Sequence, residues 1–126
     1  MRFVLDTTFA IDVLRGEAAA GRRFARLFED GDQPIVNETV LCELATGARD
    51  SEGAAIEAFA RAVEFVQPGP AVALLAGTWR GDARRRGLTL SVPDALIAAT
   101  ADALGAILIT RSLRHFELTP VVVEAY

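Results

Sequence analysis

The chain has 126 residues, 52% of them hydrophobic, with a formal net charge of −4. That length suits a single domain over residues 1–126, and the composition can fill one core, so the chain is not disordered by composition. The acidic balance excludes a protein that wraps nucleic acid through bulk charge, though not a nuclease with a local basic patch.

The elements follow in chain order. Arg2–Leu5 reads as a buried strand that stops at Asp6 and turns at once into a helix over Thr7–Leu14, ended by Gly16. A second helix covers about Glu17–Glu29, with Phe24, Leu27 and Phe28 on one side and Arg22, Arg23 and Arg26 mostly elsewhere. Pro34–Val36 is a short strand, and Asn37-Glu38-Thr39 leads into a helix over Val40–Ala48. After a loop at 50–53, Ala54–Ala62 is helical and Val63–Val66 is a third strand. Gln67-Pro68-Gly69-Pro70 breaks the chain. A long helix then runs from about Pro70 to Arg86, with Gly87 as its C-terminal cap. Leu88–Leu90 is extended, and Pro93–Leu104 is a helix capped by Gly105. Ala106–Ile109 is a fourth strand, 111–116 a loop or helical turn, and Val121–Val123 a last strand.

Strands alternating with helices imply an α/β protein with a parallel sheet covered on both faces. In such sheets the ligand site lies beyond the carboxyl ends of the strands. Asp6 stands at one such end and Thr110-Arg111-Ser112 at another. No secretory leader and no membrane-spanning apolar run is read, and the single cysteine, Cys42, can build neither an internal disulfide nor a thiolate zinc site. A reducing, cytoplasmic setting is expected.

Three carboxylates are candidates for chemistry. Asp6 ends a buried strand, where a charge costs free energy unless a cation or hydrogen bonds compensate it. It reads either as an N-cap for the next helix or as a ligand. Glu43 sits at the edge of the apolar stripe Val40, Leu41, Leu44 and Ala48, and reads either as a structural rim residue or as a site residue. Asp94 opens a helix that is apolar from 95 to 101 except for Thr100. There Ser91-Val92-Pro93-Asp94 also reads as a shortened capping box. If the three converge, bare repulsion is large: two like charges about 4 Å apart cost roughly 4 kcal/mol at an effective dielectric near 20. Such a cluster survives by binding a proton or a hard cation. Oxygen-only ligands suit Mg²⁺ or Mn²⁺, not Zn²⁺. Mg²⁺ completed by substrate phosphate is a phosphodiester-cleaving design.

The order of four stretches then resembles a PIN domain, and more narrowly the VapC-type toxin ribonucleases of bacterial VapBC toxin–antitoxin modules. The stretches are the strand with Asp6-Thr7-Thr8, Asn37–Leu44, Pro93–Ala101 and Leu108–Phe116. The resemblance runs from residue 1 to about 123. It implies a three-layer α/β/α sandwich on a central parallel sheet and a Mg²⁺-dependent endoribonuclease acting on tRNA or rRNA to inhibit translation. Asp6 and Asp94 match the main metal ligands and Glu43 the third acid. A VapB-like antitoxin would bind the toxin, itself a homodimer, in a heterotetramer or larger assembly without a membrane. Ser112 and His115 stand where many relatives carry further acidic or amide residues, which puts a second metal in doubt.

Around these acids, the hydroxyls of Thr7 and Thr110 would orient a carboxylate or a water, or else satisfy a helix cap or turn. Ser112 could bond a metal-bound water or phosphate. His115 could donate to phosphate or simply pack beside Phe116. Arg111 is placed for phosphate or antitoxin contact. Arg80, Arg84, Arg85 and Arg86 crowd the end of the long helix, either complementing its dipole or forming a phosphate rail. Trp79 reads as core or dimer packing. Two other functions compete. A receiver domain would need an acidic pair after the first strand and a lysine late in the chain, and this chain has no lysine. A catalytically inactive PIN-like domain that binds RNA or a partner rests on the neutral Ser112.

Overall fold

Phe3, Val4 and Leu5 are buried in succession, the pattern of a strand covered on both faces. They form β1 (Arg2–Leu5), the centre of the sheet in a computed structural model that describes residues 1–126. Around it the chain lays down α1 (Thr7–Leu14), α2 (Ala18–Glu29), β2 (Gln33–Asn37), α3 (Glu38–Thr46), α4 (Gly53–Ala62) and β3 (Glu64–Val66). Then come α5 (Pro70–Arg85), α6 (Val92–Leu104), β4 (Ile107–Ile109) and β5 (Val123–Glu124). Short 3₁₀ turns occupy Asp50–Glu52 and Leu113–Phe116. The five strands are ordered β3-β2-β1-β4-β5, every neighbouring pair parallel. No helix is long and apolar enough to cross a membrane.

The parallel sheet flanked by helices is the architecture expected. Its central pairing is set by Val4 opposite Ile35 on one side and Leu108 on the other. All strands therefore end on one edge of the sheet, and Asp6, Asn37 and Thr110 each follow or close a strand there. One large core holds the sheet against α1, α2, α3, α4 and part of α6. A smaller one, with Val72, Ala76 and Ala83 of α5 against Ala95 and Ala99 of α6, seals the outer helix. Ile97, Ala98 and Ala101 face the first core, so α6 is buried nearly all round. Its alanines let α5 and the sheet approach from opposite sides. Gly87 and Gly105 take positive φ (73° and 60°) and close α5 and α6 as expected. At Gly105 the next amide, Ala106 N–H, returns to the Ala101 carbonyl at 2.9 Å.

Several boundaries move, each for a local reason. α3 begins at Glu38, two residues earlier than the apolar stripe suggests, because the Asn37 side chain accepts the Val40 N–H at 3.1 Å and so acts as the N-cap. α2 begins at Ala18, with Glu17 capping the Ala20 N–H. The last strand is Val123–Glu124, displaced toward the C-terminus from Val121–Val123, since Leu108 pairs with Val123 and Ile109 with Glu124. Leu88–Leu90 joins no strand. Phe28, placed on the apolar side of α2, stays half-exposed with its ring edge-on to Phe24. Arg23 instead turns inward, reaching Glu124 at 2.9 Å and lying over the Phe3 ring.

Asn37 also joins two helices. Its amide donates to the Thr100 hydroxyl at 3.0 Å, and that hydroxyl donates to the Leu96 carbonyl at 2.8 Å. This ties the start of α3, which carries Glu43, to the middle of α6, which carries Asp94. Asn37→Ala removes a helix cap and a buried side-chain bond together. Urea denaturation should show a loss of about 1–3 kcal/mol; a variant as stable as the parent would show that the tie contributes nothing.

Candidate active site at the carboxyl ends of β1 and β4

Asp6 is only 3% exposed. Its backbone occupies the N-cap position of α1, but its carboxylate caps nothing there. Both recorded side-chain bonds go to hydroxyls instead: Thr8 and Thr110 each donate to Oδ2 at 2.7 Å. Of the two sequence readings, helix capping is therefore not what the carboxylate does. Oδ1 takes no protein hydrogen bond. Hydrogen bonds to an ionised acceptor are worth about 1.5–3 kcal/mol each and offset part of the cost of burying a carboxylate.

The two threonines serve a second purpose. The Thr8 and Thr110 oxygens lie 3.2 Å apart, but with both protons directed at Asp6 neither donates to the other. Each hydroxyl accepts a backbone N–H from the segment after β4: Arg111 N–H to Thr8 at 3.1 Å, Ser112 N–H to Thr110 at 3.0 Å. Amide dipoles thus polarise hydroxyls that point at Asp6, a cooperative chain. Thr110, fully buried, was read as orienting a carboxylate or a water, or else satisfying a turn; its hydroxyl donates to Asp6 Oδ2 and accepts the Ser112 N–H. Thr8 was not singled out in the sequence, although its place two residues after Asp6 is the signal that could have found it.

Asp94 enters from the first turn of α6, where Ser91 accepts the Asp94 N–H as N-cap at 3.2 Å. Its carboxyl is pushed above the usual aspartate range. Burial is the largest cause and the nearby charge of Asp6 adds to it, while Ser91 and, last, His115 pull the other way. His115 Nδ1 lies 3.9 Å from Asp94 Oδ2, an ion pair only when the imidazole is protonated. Glu43 approaches from α3, its Oε1 accepting the Thr7 hydroxyl at 2.5 Å. The structure thus sets Asp94 within the field of Asp6, and Glu43 against the residue next to Asp6 in the chain. No group of three or more His, Cys, Asp or Glu side chains is drawn into a metal-holding cluster.

Ser112 contributes its backbone N–H to the threonine chain and no recorded side-chain bond. Arg111 leaves the site. Its guanidinium donates to Asp12 Oδ1 at 2.7 Å, and the Tyr126 hydroxyl donates to the other oxygen of the same carboxylate. Asp12 is 8% exposed, and Tyr126 packs edge-on against Phe9 with ring centroids 4.8 Å apart. Burial and then Asp12 push the Tyr126 hydroxyl well above its ordinary pKa. Neither Asp12 nor Tyr126 was read as part of the site; their partners lie about a hundred residues away and no local pattern joins them. Together they hold the segment that reaches Asp6. An open concavity of about 700 Å³, with Arg111, Ser112, Arg114 and His115 in its lining, adjoins this segment.

The chemistry of the donors fits a hard cation. Mg²⁺ keeps several waters and needs only one or two carboxylates beside substrate phosphate, so a pair suffices where a closed cage is absent. Asp6 offers a free Oδ1, and Asp94 holds its proton more tightly, first because it is buried and then because the charge of Asp6 lies nearby.

The PIN domain family model matches residues 3–118. Ribonuclease VapC19 of Mycobacterium tuberculosis is 38% identical over 123 residues, 98% of each chain. The tRNA(fMet)-specific endonuclease VapC of Shigella flexneri is 28% identical over 122 residues, 93% of this chain and 91% of the relative. Among solved structures, VapBC2 from Rickettsia felis bound to a promoter DNA fragment superposes with a TM-score of 0.88 at 20% identity, covering 100% of this chain and 99% of that one. DNA-bound VapBC from Salmonella typhimurium does so with a TM-score of 0.86 at 24% identity, covering 99% and 98%. The fold agrees throughout, and with a family match over most of its length and a relative at 38% identity from end to end, the chain belongs to the PIN-domain family and, within it, to the VapC-type ribonucleases.

Proposed function

We propose that the protein is the toxin endoribonuclease of a toxin–antitoxin pair. It would hydrolyse RNA phosphodiester bonds at the Asp6–Asp94 site with Mg²⁺, which Mn²⁺ can replace. The observation that carries this reading is the pair of carboxylates there: buried Asp6 is bonded only by neutral hydroxyls, and its charge adds to the burial that raises the Asp94 carboxyl. PIN-domain nucleases are generally dependent on a divalent metal, and these two carboxylates, with Glu43 nearby, are the residues that would hold it. A divalent cation supplies Lewis acidity to the phosphate and acidifies water. The chain supplies position and protons. Thr8 and Thr110 fix Asp6 Oδ2, leaving Oδ1 for the ligand role. Thr7 occupies Glu43 Oε1, so Oε2 is the oxygen free to hold the attacking water and take its proton. Arg114 and His115, in the adjoining concavity, meet phosphates of the bound strand.

The substrate class is tRNA or rRNA in the cytoplasm, and the name of the Shigella flexneri relative supports tRNA. A VapB-like antitoxin is the partner; the superposed VapBC structures support it. The toxin would be a homodimer built from one such domain per chain, in a heterotetramer or larger assembly. A second reading is a PIN-like domain that binds without cutting. It is favoured by one observation, the absence of a three-acid cluster.

Three outcomes test the active reading. Asp6→Asn or Asp94→Asn should lower Mg²⁺-dependent RNA cleavage by on the order of 100-fold or more, since several kcal/mol of transition-state stabilisation depends on the held charge. Full activity in both variants would sink the assignment. Thr110→Val, which frees Asp6 Oδ2 of one donor, should lower cleavage by about 10- to 100-fold, with Mg²⁺ titration locating the loss in metal affinity. For Asp94 the folded-state pKa is raised, so its charge costs stability near neutral pH and costs nothing once the group is protonated in both states. In metal-free protein, Asp94→Asn should therefore melt above wild type near neutral pH. The difference should shrink as pH falls through the raised pKa and vanish below the ordinary aspartate value of about 3.9. Thermal melts that favour wild type near neutral pH would contradict this.

A further inference from the structure

A second charged feature lies away from the acidic site. Between the last two turns of α5 and the extended segment that follows it is a cavity of about 380 Å³. Its walls are Gly77, Arg80, Gly81 and Arg84 on one helix face and Leu88–Leu90 opposite. No acidic residue lines it. Of the four arginines that crowd this helix end, Arg85 is paired with Asp82 and, although its guanidinium passes near Gly81, does not line the cavity. Arg80 and Arg84, four residues apart on one face, both line it.

These two are not simply complementing the helix dipole. Arg80 Nε donates across the cavity mouth to the Leu90 carbonyl at 2.9 Å, which aims the guanidinium and leaves the N–H groups of both Nη atoms unspent. The Arg84 guanidinium makes no ion pair or hydrogen bond within the chain. The Thr89 hydroxyl adds a neutral donor. Gly77 keeps the floor open: a Cβ placed on it would meet nothing within 4 Å. Planar donor forks, a hydroxyl and room between them match a phosphate. A protein partner would require an apolar centre, and here only Leu88 and Leu90 are apolar. Four residues beyond Leu90 is Asp94, so the cavity rim and the acidic site are at most about 14 Å apart along the chain, a span that a few nucleotides cover.

We propose that the Arg80–Arg84 cavity is a phosphate subsite for the RNA strand, engaging a backbone phosphate a few nucleotides from the bond that is cut. The proposal rests on the ribonuclease reading above and extends it to a specific contact outside the acidic site.

The test is binding of a fluorescein-labelled single-stranded RNA of mixed sequence, followed by anisotropy, in the Asp94→Asn background so that the RNA stays intact. Arg84→Gln should raise Kd several-fold and lower the slope of log Kd against log salt by about 0.7. Gly77→Glu, which sets a carboxylate beside Arg80 in open space, should weaken binding at least as much without lowering the melting temperature. Arg80→Gln should do the same but also loses the Leu90 bond, so the first two variants carry the decision. Arg61→Gln, an exposed arginine on α4 paired with Glu57, is the control and should change neither Kd nor slope. Unchanged Kd and salt slope in Arg84→Gln and Gly77→Glu overturn the proposal, as does an Asp94→Asn parent that does not bind the RNA. If RNA binding is intact but competition by poly-glutamate is lost in those variants, the cavity takes an acidic polypeptide and the proposal also fails. Failure of the ribonuclease reading shows separately, as wild-type protein that binds RNA with Mg²⁺ present and leaves it uncut.

Discussion

A buried negative charge at the end of the central strand is the constraint on which the rest of the site depends. Asp6 is nearly inaccessible to solvent and has no cationic side chain bonded to it. It is held by two threonine hydroxyls, one from the helix that follows it and one from the end of β4. Those hydroxyls are in turn fed by the backbone amides of Arg111 and Ser112. Neutral donors stabilise the anion without cancelling its charge, so the field persists and is felt at Asp94. A lysine or arginine in the same place would have satisfied Asp6 and abolished the attraction for a cation. Arg111, whose backbone amide feeds Thr8, places its guanidinium on a different carboxylate, Asp12.

The scaffold keeps three separate elements in register around that charge. β1 and β4 are hydrogen-bonded neighbours, and the Asp6 N–H reaches the Ile109 carbonyl at 2.9 Å, which fixes Thr110 beside Asp6. Asn37 and Thr100 join α3 to α6, so Glu43 and Asp94 are referred to the same buried contact. Asp12, itself bonded by the Tyr126 hydroxyl, pairs with Arg111 and holds the segment after β4 from the far side. The first two ties are buried with their partners, and the third buries Asp12 beneath a half-exposed Arg111. A polar group left unpaired in such a place would cost about 1–3 kcal/mol, so these contacts specify one arrangement. The basic surface is organised in the opposite way, with Arg80 and Arg84 around an open cavity. Negative net charge and a local cationic groove coexist because screening confines surface fields to about a Debye length, near 8 Å at physiological salt.

Much of this was legible in the residues. The apolar run ending at Asp6, the alternation of strands and helices, and Gly87 and Gly105 as helix ends all follow from local rules and all appear in the structure. The order of the four motif stretches carried the family. Other features were out of reach. Asn37 stood in a quoted motif without a role, because its cap is local but its bond to Thr100 spans sixty-three positions. Thr8 read as one of two adjacent hydroxyls, and nothing in a sequence says which one faces Asp6; Thr7 turned to Glu43 and Thr8 to Asp6. Arg23 read as lying mostly off the apolar side of its helix, yet it folds over Phe3 toward Glu124. Boundaries shifted wherever a side-chain cap, invisible to hydrophobic periodicity, decided where a helix began.

The sequence by itself determined that this is a parallel α/β protein with an acid at the end of its first strand. Strand and helix periodicity, glycine stops and the cost of a buried charge are properties of neighbouring residues. Tertiary structure alone decided what surrounds that acid. Strand order put Thr110 next to Asp6, the burial of α6 raised the Asp94 carboxyl, and the pairing of Arg111 with Asp12 left the aspartate pair without a cation of its own. Those are contacts between residues some ninety to a hundred positions apart, and electrostatic energy depends on distance and burial in space, which no linear pattern encodes.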